Sequence, residues 1–513
     1  MSKKVLVFTG MRDIAALEEA VVLKEEHDYD VYFVTCDKLI GGCYHNPLCS
    51  TLQCRFCHYT MKKKIMELTK KSEKYHYISI SDLLKKHSTT DSNNYRFEYN
   101  DVRSLKEITY KGVDVGYGAF SSFVTFTRNV MPTFNSNLKA YLDFFIRKQM
   151  LLTDMLIEYI DKIKPDCIVF HNGRFNNFKP AYNIAKNRKI DFIATEYIFV
   201  NGWNGGPVKK NIFINDIPHS FSAIAKKMQN VWNQAPSDKY DIAKRFFENR
   251  RKSLPAGDII YTKDQHQNEL PDGFNKSKRN IAIFNSSEDE FFAISREMDK
   301  SVLFPTQFDA LKKIFEHYKN DLDVHFYLRI HPNLKNVPYK SHTLLYTLKY
   351  DNVTIIPPTS TVSSYALMDN SEKVIVFNST MGMESSFWGK PVIALNRCMY
   401  TDEGIVYSPE NEQELYCLIN NVNLPKIDRP IESWYKLAYY LLGYGAEDLK
   451  YYATDMFQIQ MLGMTKKGIS FTVFKFLKSS WIHGFIVALI RFLSLKGIGS
   501  KFNQKFIDKT SED

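Results

Sequence analysis

The chain alternates short apolar runs with longer stretches in which apolar residues recur every three or four positions, the periods of strand and amphipathic helix. "KKVLVFTG" runs into the helical stretch "DIAALEEAVVLKEE" and then into "YDVYFVTC". That order predicts the strand–helix–strand opening of a doubly wound sheet. A polar stretch over about 86–109 reads as a surface excursion. A long helix is expected over 135–164, followed by the strand "PDCIVFHNGR", the helix "KPAYNIAKNRK" and the strand "IDFIATE", ending at Glu196. Turn clusters ("NGWNGGP", "LPAGD", "LPDGF") make 200–275 read as a junction. A second strand–helix series follows: "NIAIFN", "QFDALKKIFEHYKN", "VHFYLRI", "NVTIIPP", "KVIVFN" and "PVIALN", closed by the helix "IESWYKLAYYLLGYG".

Two βα halves joined by a junction predict an α/β protein with two Rossmann-like domains facing across a cleft. The expected division is a first domain over 1–265, a second over 276–430, closing helices over 431–462 and a basic amphipathic tail over 463–513. A length of 513 residues agrees, since one compact core rarely grows so large. A hydrophobic fraction of 44% excludes a disordered or polytopic chain. The net charge of +11 suits nucleic acid, anionic lipid or phosphorylated substrates. Its distribution decides: no Asp or Glu occurs from Met456 to Ile507, where Lys and Arg recur among Phe, Trp, Leu and Ile. That pattern predicts interfacial helices on an anionic membrane surface. Its longest apolar run, "IHGFIVALI", is far below the roughly 20 residues that span a bilayer. No signal peptide is visible at the start, so a cytoplasmic location on the inner face of the cell membrane is expected.

Ligands of open α/β sheets bind beyond the carboxyl ends of the strands. In the second half those ends are polar. "NIAIFN" runs into Ser286, Ser287, Glu288 and Asp289, and "HFYLRI" carries Arg329 into His331, Pro332 and Asn333. "KVIVFN" leads to Ser379, Thr380, Gly382 and Glu384. Ser, Thr and Gly before a helix offer backbone N–H groups and hydroxyls to phosphate, although a helix cap is an equal explanation. Arg329 and His331 would add cationic donors. The acids 288–290 are explained by a helix dipole, with sugar hydroxyls as their alternative role and Asp289 as a candidate catalytic group.

"FNSSEDE", "LRIHPN" and "NSTMGMESSFWGKPVIALN", in that order, resemble the donor domain of bacterial capsule and O-antigen (lipopolysaccharide) polysaccharide glycosyltransferases of GT-B type. The His-Pro and Ser-Thr pairing is similar to enzymes with cytidine-activated donors: Kdo and sialic acid transferases and glycerophosphate polymerases. Epimerases acting on UDP-sugars share a related His/Glu arrangement. The resemblance implies transfer of a sugar from a nucleotide-activated donor to a glycan or lipid-linked acceptor. It implies that His331, Ser379 and Thr380 hold the donor phosphates and that Glu384 meets the ribose.

In the first half, His171, Asn172, Arg174 and Glu196 stand at the ends of adjacent expected strands. Glu196 and His171 are candidates to take the acceptor's proton. Asn172, Arg174 and Glu288 are candidates to bind substrate, with an Arg174–Glu196 ion pair as the plain alternative. Transfer is expected to need no cofactor or metal. "CYHNPLCSTLQCRFCHYT" holds Cys43, Cys49, Cys54 and Cys57, which would form a structural zinc site or a reduced buried loop. Two other functions compete with transfer: a sugar-nucleotide epimerase, and a non-catalytic nucleic-acid- or lipid-binding protein. No nucleic-acid motif is visible, and the basic excess lies in the tail rather than along a groove.

Overall fold

The computed structural model describes residues 2–10, 13–38, 40–79, 95–199, 208–257, 259–300, 303–335, 337, 340–455, 458–461, 489–490 and 492–511. Strands β1 (Lys4–Phe8), β2 (Asp30–Thr35), β3 (Tyr75–Ser79), β4 (Cys167–His171), β5 (Asp191–Phe199) and β6 (Val208–Ile214) form the first sheet, together with the short β12 (Glu447–Asp448). Its order is β12-β6-β5-β4-β1-β2-β3, parallel from β5 to β3. The second sheet is wholly parallel, with the order β11-β10-β7-β8-β9: β7 (Arg279–Phe284), β8 (Val324–Arg329), β9 (Val353–Ile356), β10 (Lys373–Val376) and β11 (Val392–Ala394). The α/β architecture is the expected one, with two Rossmann-like sheets.

The central strands are unbroken apolar runs because helices cover both faces of a parallel sheet. In β1, Val5, Leu6 and Val7 are wholly buried, as are Val374, Ile375 and Val376 in β10. The long helix Ser136–Ile163 matches the expected one. Asn135 caps it by accepting from the Leu138 N–H at 3.0 Å, and Lys164 ends it in the left-handed region.

Three expectations change. The strand expected to stop at Glu196 continues to Phe199 and pairs antiparallel with β6. The stretch read as a junction therefore contains β6 and two helices, Phe221–Gln234 and Lys239–Arg251, whose apolar faces pack and whose polar faces mask the signal. After the helix Glu432–Tyr439, Gly443 takes a φ of 96°, and the chain returns to add β12 to the first sheet.

The end of the expected membrane tail belongs to the first domain's core. Phe502 is buried with its ring 5.0 Å from Tyr141 and 5.8 Å from Phe144. Thr51 N–H donates to Gly499 O at 2.9 Å, and Asn135 Nδ2 donates to Lys509 O at 2.7 Å. The most strongly amphipathic part, 462–488, lies outside the described residues. Among the described residues no helix is long and apolar enough to cross a membrane.

Candidate active site

The carboxyl ends of β7, β8 and β10 bring the three resembling motifs together, and the segment after β7 is clamped to the first domain. Arg128 ends the helix Val115–Thr127 in the left-handed region. Its Nε lies 3.0 Å from Asp289, its Nη1 donates to Asn333 O at 2.8 Å, and its Nη2 donates to Ser287 Oγ. Arg174 Nη1 donates to Glu290 O at 2.9 Å and its Nη2 to Thr125 Oγ1 at 2.9 Å. Lys179 Nζ donates to Ile294 O at 3.0 Å, and Asp299 pairs with Lys106 at 2.6 Å and accepts from Tyr117 Oη at 2.8 Å. Arg174, a candidate to bind substrate, thus ties the end of β4 to the segment after β7 through a carbonyl, and the alternative ion pair with Glu196 does not form.

His331 follows β8 with its backbone N–H on Asn285 Oδ1 at 2.7 Å. Its Nδ1 accepts from the Asn333 N–H at 3.1 Å, which leaves the proton on Nε2. Burial, and then the neighbouring Arg128, Arg250 and Arg329, push its pKa down to about 4. It is therefore a neutral donor near pH 7, not the cation expected. Arg329 also differs from expectation. It is buried, and its Nη1 and Nη2 donate to Pro357 O at 2.5 Å and Ser360 O at 2.9 Å. It braces the loop after β9, and burial lowers its pKa to about 10.

At the end of β10, Ser379 Oγ accepts from the Met381 N–H at 3.3 Å. Thr380 Oγ1 accepts from Arg250 Nη2 at 3.1 Å. Glu384 is 1% exposed, ion-paired to Arg250 Nε at 3.1 Å and hydrogen-bonded by Tyr365 Oη. Gly382 sits where a Cβ would lie 2.2 Å from Tyr400 Oη. Ser286 is taken up by Gln307: its N–H donates to Gln307 Oε1 at 3.2 Å and its Oγ accepts from Nε2 at 2.8 Å. Ser287 Oγ donates to Asp289 Oδ1 at 2.8 Å, so Asp289 is engaged by both Ser287 and Arg128.

Glu288 accepts from the Gln307 N–H at 2.9 Å, at the start of the helix Gln307–Tyr318. Burial raises its pKa to about 7. A carboxyl raised in the folded state stabilises below its unfolded pKa, and that contribution is lost as pH rises through 7. Glu288→Gln keeps the acceptor without the charge. The variant should melt with the wild type near pH 5 and gain about 1–2 kcal/mol on it by pH 8. Equal differences at both pH values in thermal melts would refute the raised pKa.

Across the cleft, Glu196 lies one residue past the β4–β5 pairing of His171 with Thr195. His171 is 3% exposed, whereas the Glu196 side chain is 27% exposed. Their Nε2 and Oε1 are 3.5 Å apart, and Asn172, in the left-handed region at φ 57°, donates to Glu196 Oε2. The His171 ring stacks on Tyr197 at 5.8 Å and Tyr44 at 6.0 Å, which fixes its plane. Asn172 Nδ2 also lies 3.3 Å from His219 Nε2, a neighbour the sequence did not single out. Arg128, Arg250 and His219 escaped sequence reasoning because each lies outside the strand-end motifs, and only the fold brings the two arginines near His331 and the histidine beside Asn172.

The four cysteines do not assemble. Cys43, Cys54 and Cys57 line a cavity of about 50 Å³ with Cys36, while Cys49 does not line it and is buried against Gly42. Burial raises the Cys36 thiol to about 12. Among the described residues, no three His, Cys, Asp or Glu side chains are placed to hold a metal ion.

Residues 191–416, less than half of the 513, match the family model described as capsule polysaccharide biosynthesis protein. No curated protein matches the chain. Among solved structures, the chain is similar to KpsC, a β-Kdo 2,4 transferase of Thermosulfurimonas dismutans. The identity is 14%, covering 53% of this chain and 79% of that one, with a TM-score of 0.37. UDP-GlcNAc 2-epimerase of Neisseria meningitidis bound to UDP-GlcNAc is 14% identical over 85% and 98% of the two chains, with a TM-score of 0.27. The glycosyltransferase SnogD of Streptomyces nogalater is 12% identical over 86% and 95%, with a TM-score of 0.22. Likenesses this distant carry no argument about chemistry. The matched residues 191–416 run from β5 past β11 and so take in the strand-end motifs, and the family they match is the one those motifs resemble.

Proposed function

We propose that this protein is a glycosyltransferase of capsule polysaccharide synthesis, moving a sugar from a nucleotide-activated donor to a glycan or lipid-linked acceptor. The observation that carries the reading is the end of β8: a half-buried histidine held neutral, its Nε2–H left as a donor, within a stretch that matches the capsule family. The donor's phosphate would sit over the ends of β7, β8 and β10, against His331 and the Ser379–Thr380 turn. Glu196, the exposed member of its pair, would take the acceptor hydroxyl's proton as that oxygen attacks the sugar's anomeric carbon. The nucleotide phosphate then leaves with the bonding electrons. His171, behind Glu196, is a positioning residue, and no cofactor or metal is required. The expected site of action is the cytoplasmic face of the membrane, where a lipid-linked acceptor would be met.

Thermal melts with CMP, CDP, UDP, GDP and ADP test the donor site. One nucleotide family should raise the wild-type melting temperature. His331→Ala should weaken that nucleotide about 5- to 20-fold, the loss of one hydrogen bond to a charged phosphate. No stabilisation by any of the five, or an unchanged shift in the variant, would sink the reading. Incubation with the matching nucleotide sugar separates transfer from epimerisation, since an epimerase returns a soluble sugar nucleotide.

A further inference from the structure

The residues expected as phosphate cations are unsuited to it, since Arg329 is committed to two carbonyls and His331 is neutral. Two other guanidinium groups occupy the same strand ends. Arg128 comes from the first domain and lies on Ser287, Asp289 and Asn333, at the ends of β7 and β8. Arg250 comes from the last turn of the helix Lys239–Arg251 and lies on Thr380 and Glu384, beyond β10. That helix is seated on the second domain by Phe247, whose ring stacks on Phe387 at 3.8 Å. Because β7 lies between β10 and β8, the two arginines flank the end of β7 from opposite sides.

Gathering guanidinium groups about one imidazole is unfavourable without anions to answer them. Here Asp289 answers Arg128 and Glu384 answers Arg250. A phosphate suits the planar arginine fork at least as well as a carboxylate does. Glu384 would not be stranded if Arg250 turned to phosphate, because Tyr365 Oη also donates to it and ribose hydroxyls would replace the arginine.

We propose that Arg128 and Arg250 are the cations that grip the donor's phosphate, and that donor binding exchanges the Arg250–Glu384 ion pair for Arg250–phosphate and Glu384–ribose contacts. The inference rests on the donor-site reading above. It assigns phosphate recognition to one arginine from each side of the cleft, so that a bound nucleotide ties the two together.

The test is calorimetric titration of CMP, CDP and UDP, each beside its nucleoside, into the full chain. The variants are Arg250→Ala and the charge-balanced Arg250→Ala with Glu384→Gln. The quantity read is the ratio of nucleoside Kd to nucleotide Kd, which isolates the phosphate. That ratio should fall about 10- to 100-fold in both variants, the loss of a charge-assisted pair of hydrogen bonds. If the single variant fails to fold, the balanced one decides. A ratio unchanged in the balanced variant, with wild-type binding still dependent on His331, overturns this inference alone. A wild-type chain that binds no nucleotide overturns the donor-site reading, and this inference with it.

Discussion

Glu196→Gln should lower kcat by about 10²- to 10⁴-fold while leaving nucleotide affinity unchanged, the range by which a positioned general base accelerates proton transfer. The amide keeps the size of the carboxyl group and an oxygen for Asn172, which donates to Glu196 Oε2. What it removes is the basic lone pair and the charge facing His171 Nε2 at 3.5 Å. His171→Phe should cost less, because a ring between Tyr44 and Tyr197 would preserve the stack while ending the contact with Glu196. Single-turnover rates with donor and acceptor both saturating would check this. A Glu196→Gln rate within about tenfold of wild type would place the base elsewhere. A combined fall in rate and nucleotide affinity would mean that the substitution had disturbed the cleft as a whole.

Gly382→Ala should be the most destabilising single-methyl change at the donor site, at about 2–4 kcal/mol. Its Cβ would stand 2.2 Å from Tyr400 Oη and 2.8 Å from Val376 Cγ2, distances that force movement. Tyr400 is 2% exposed and donates to Ser379 O at 2.6 Å, so it cannot move without releasing the turn that carries Thr380. Stability and nucleotide affinity should therefore fall together. Adding Tyr400→Phe removes the closest clashing atom and should recover part of the stability, although the hydrogen bond to Ser379 is not restored. Chemical denaturation of the three proteins measures this, and a Gly382→Ala variant as stable as wild type would contradict the packing described. The glycine is thus needed for close approach between a helix and Tyr400, whatever role its N–H has toward a ligand.

The strand ends show where sequence reading stops. "LRIHPN" marked the end of β8 and the place of His331 beside the β7 and β10 turns, because a buried apolar run ending in polar residues is a local signal. The roles of Arg329 and His331 were not local. Whether an arginine side chain points into a cleft or back onto a carbonyl depends on the loop that β9 delivers beside it. Protonation of His331 depends on burial and on arginines that lie about 80 and 200 residues away in sequence. The same holds for the cysteines: of the four closely spaced in sequence, Cys43, Cys54 and Cys57 share a cavity with Cys36, which arrives from just past the end of β2.

By itself the sequence determined the α/β class, two Rossmann-like sheets, the long helix Ser136–Ile163 and the ends of β4, β7, β8 and β10 as the polar positions of the fold. Each of these follows from the period and length of apolar runs and from caps within a few residues. Only the tertiary structure decided that β5 continues past Glu196, that the chain's end packs on Tyr141, and that Arg128 and Arg250 meet the donor turns. The physical reason is range. Hydrogen-bond periodicity is written into neighbouring residues, whereas the partner of a side chain is set by which distant segments the packing of two cores brings within 3–4 Å of it.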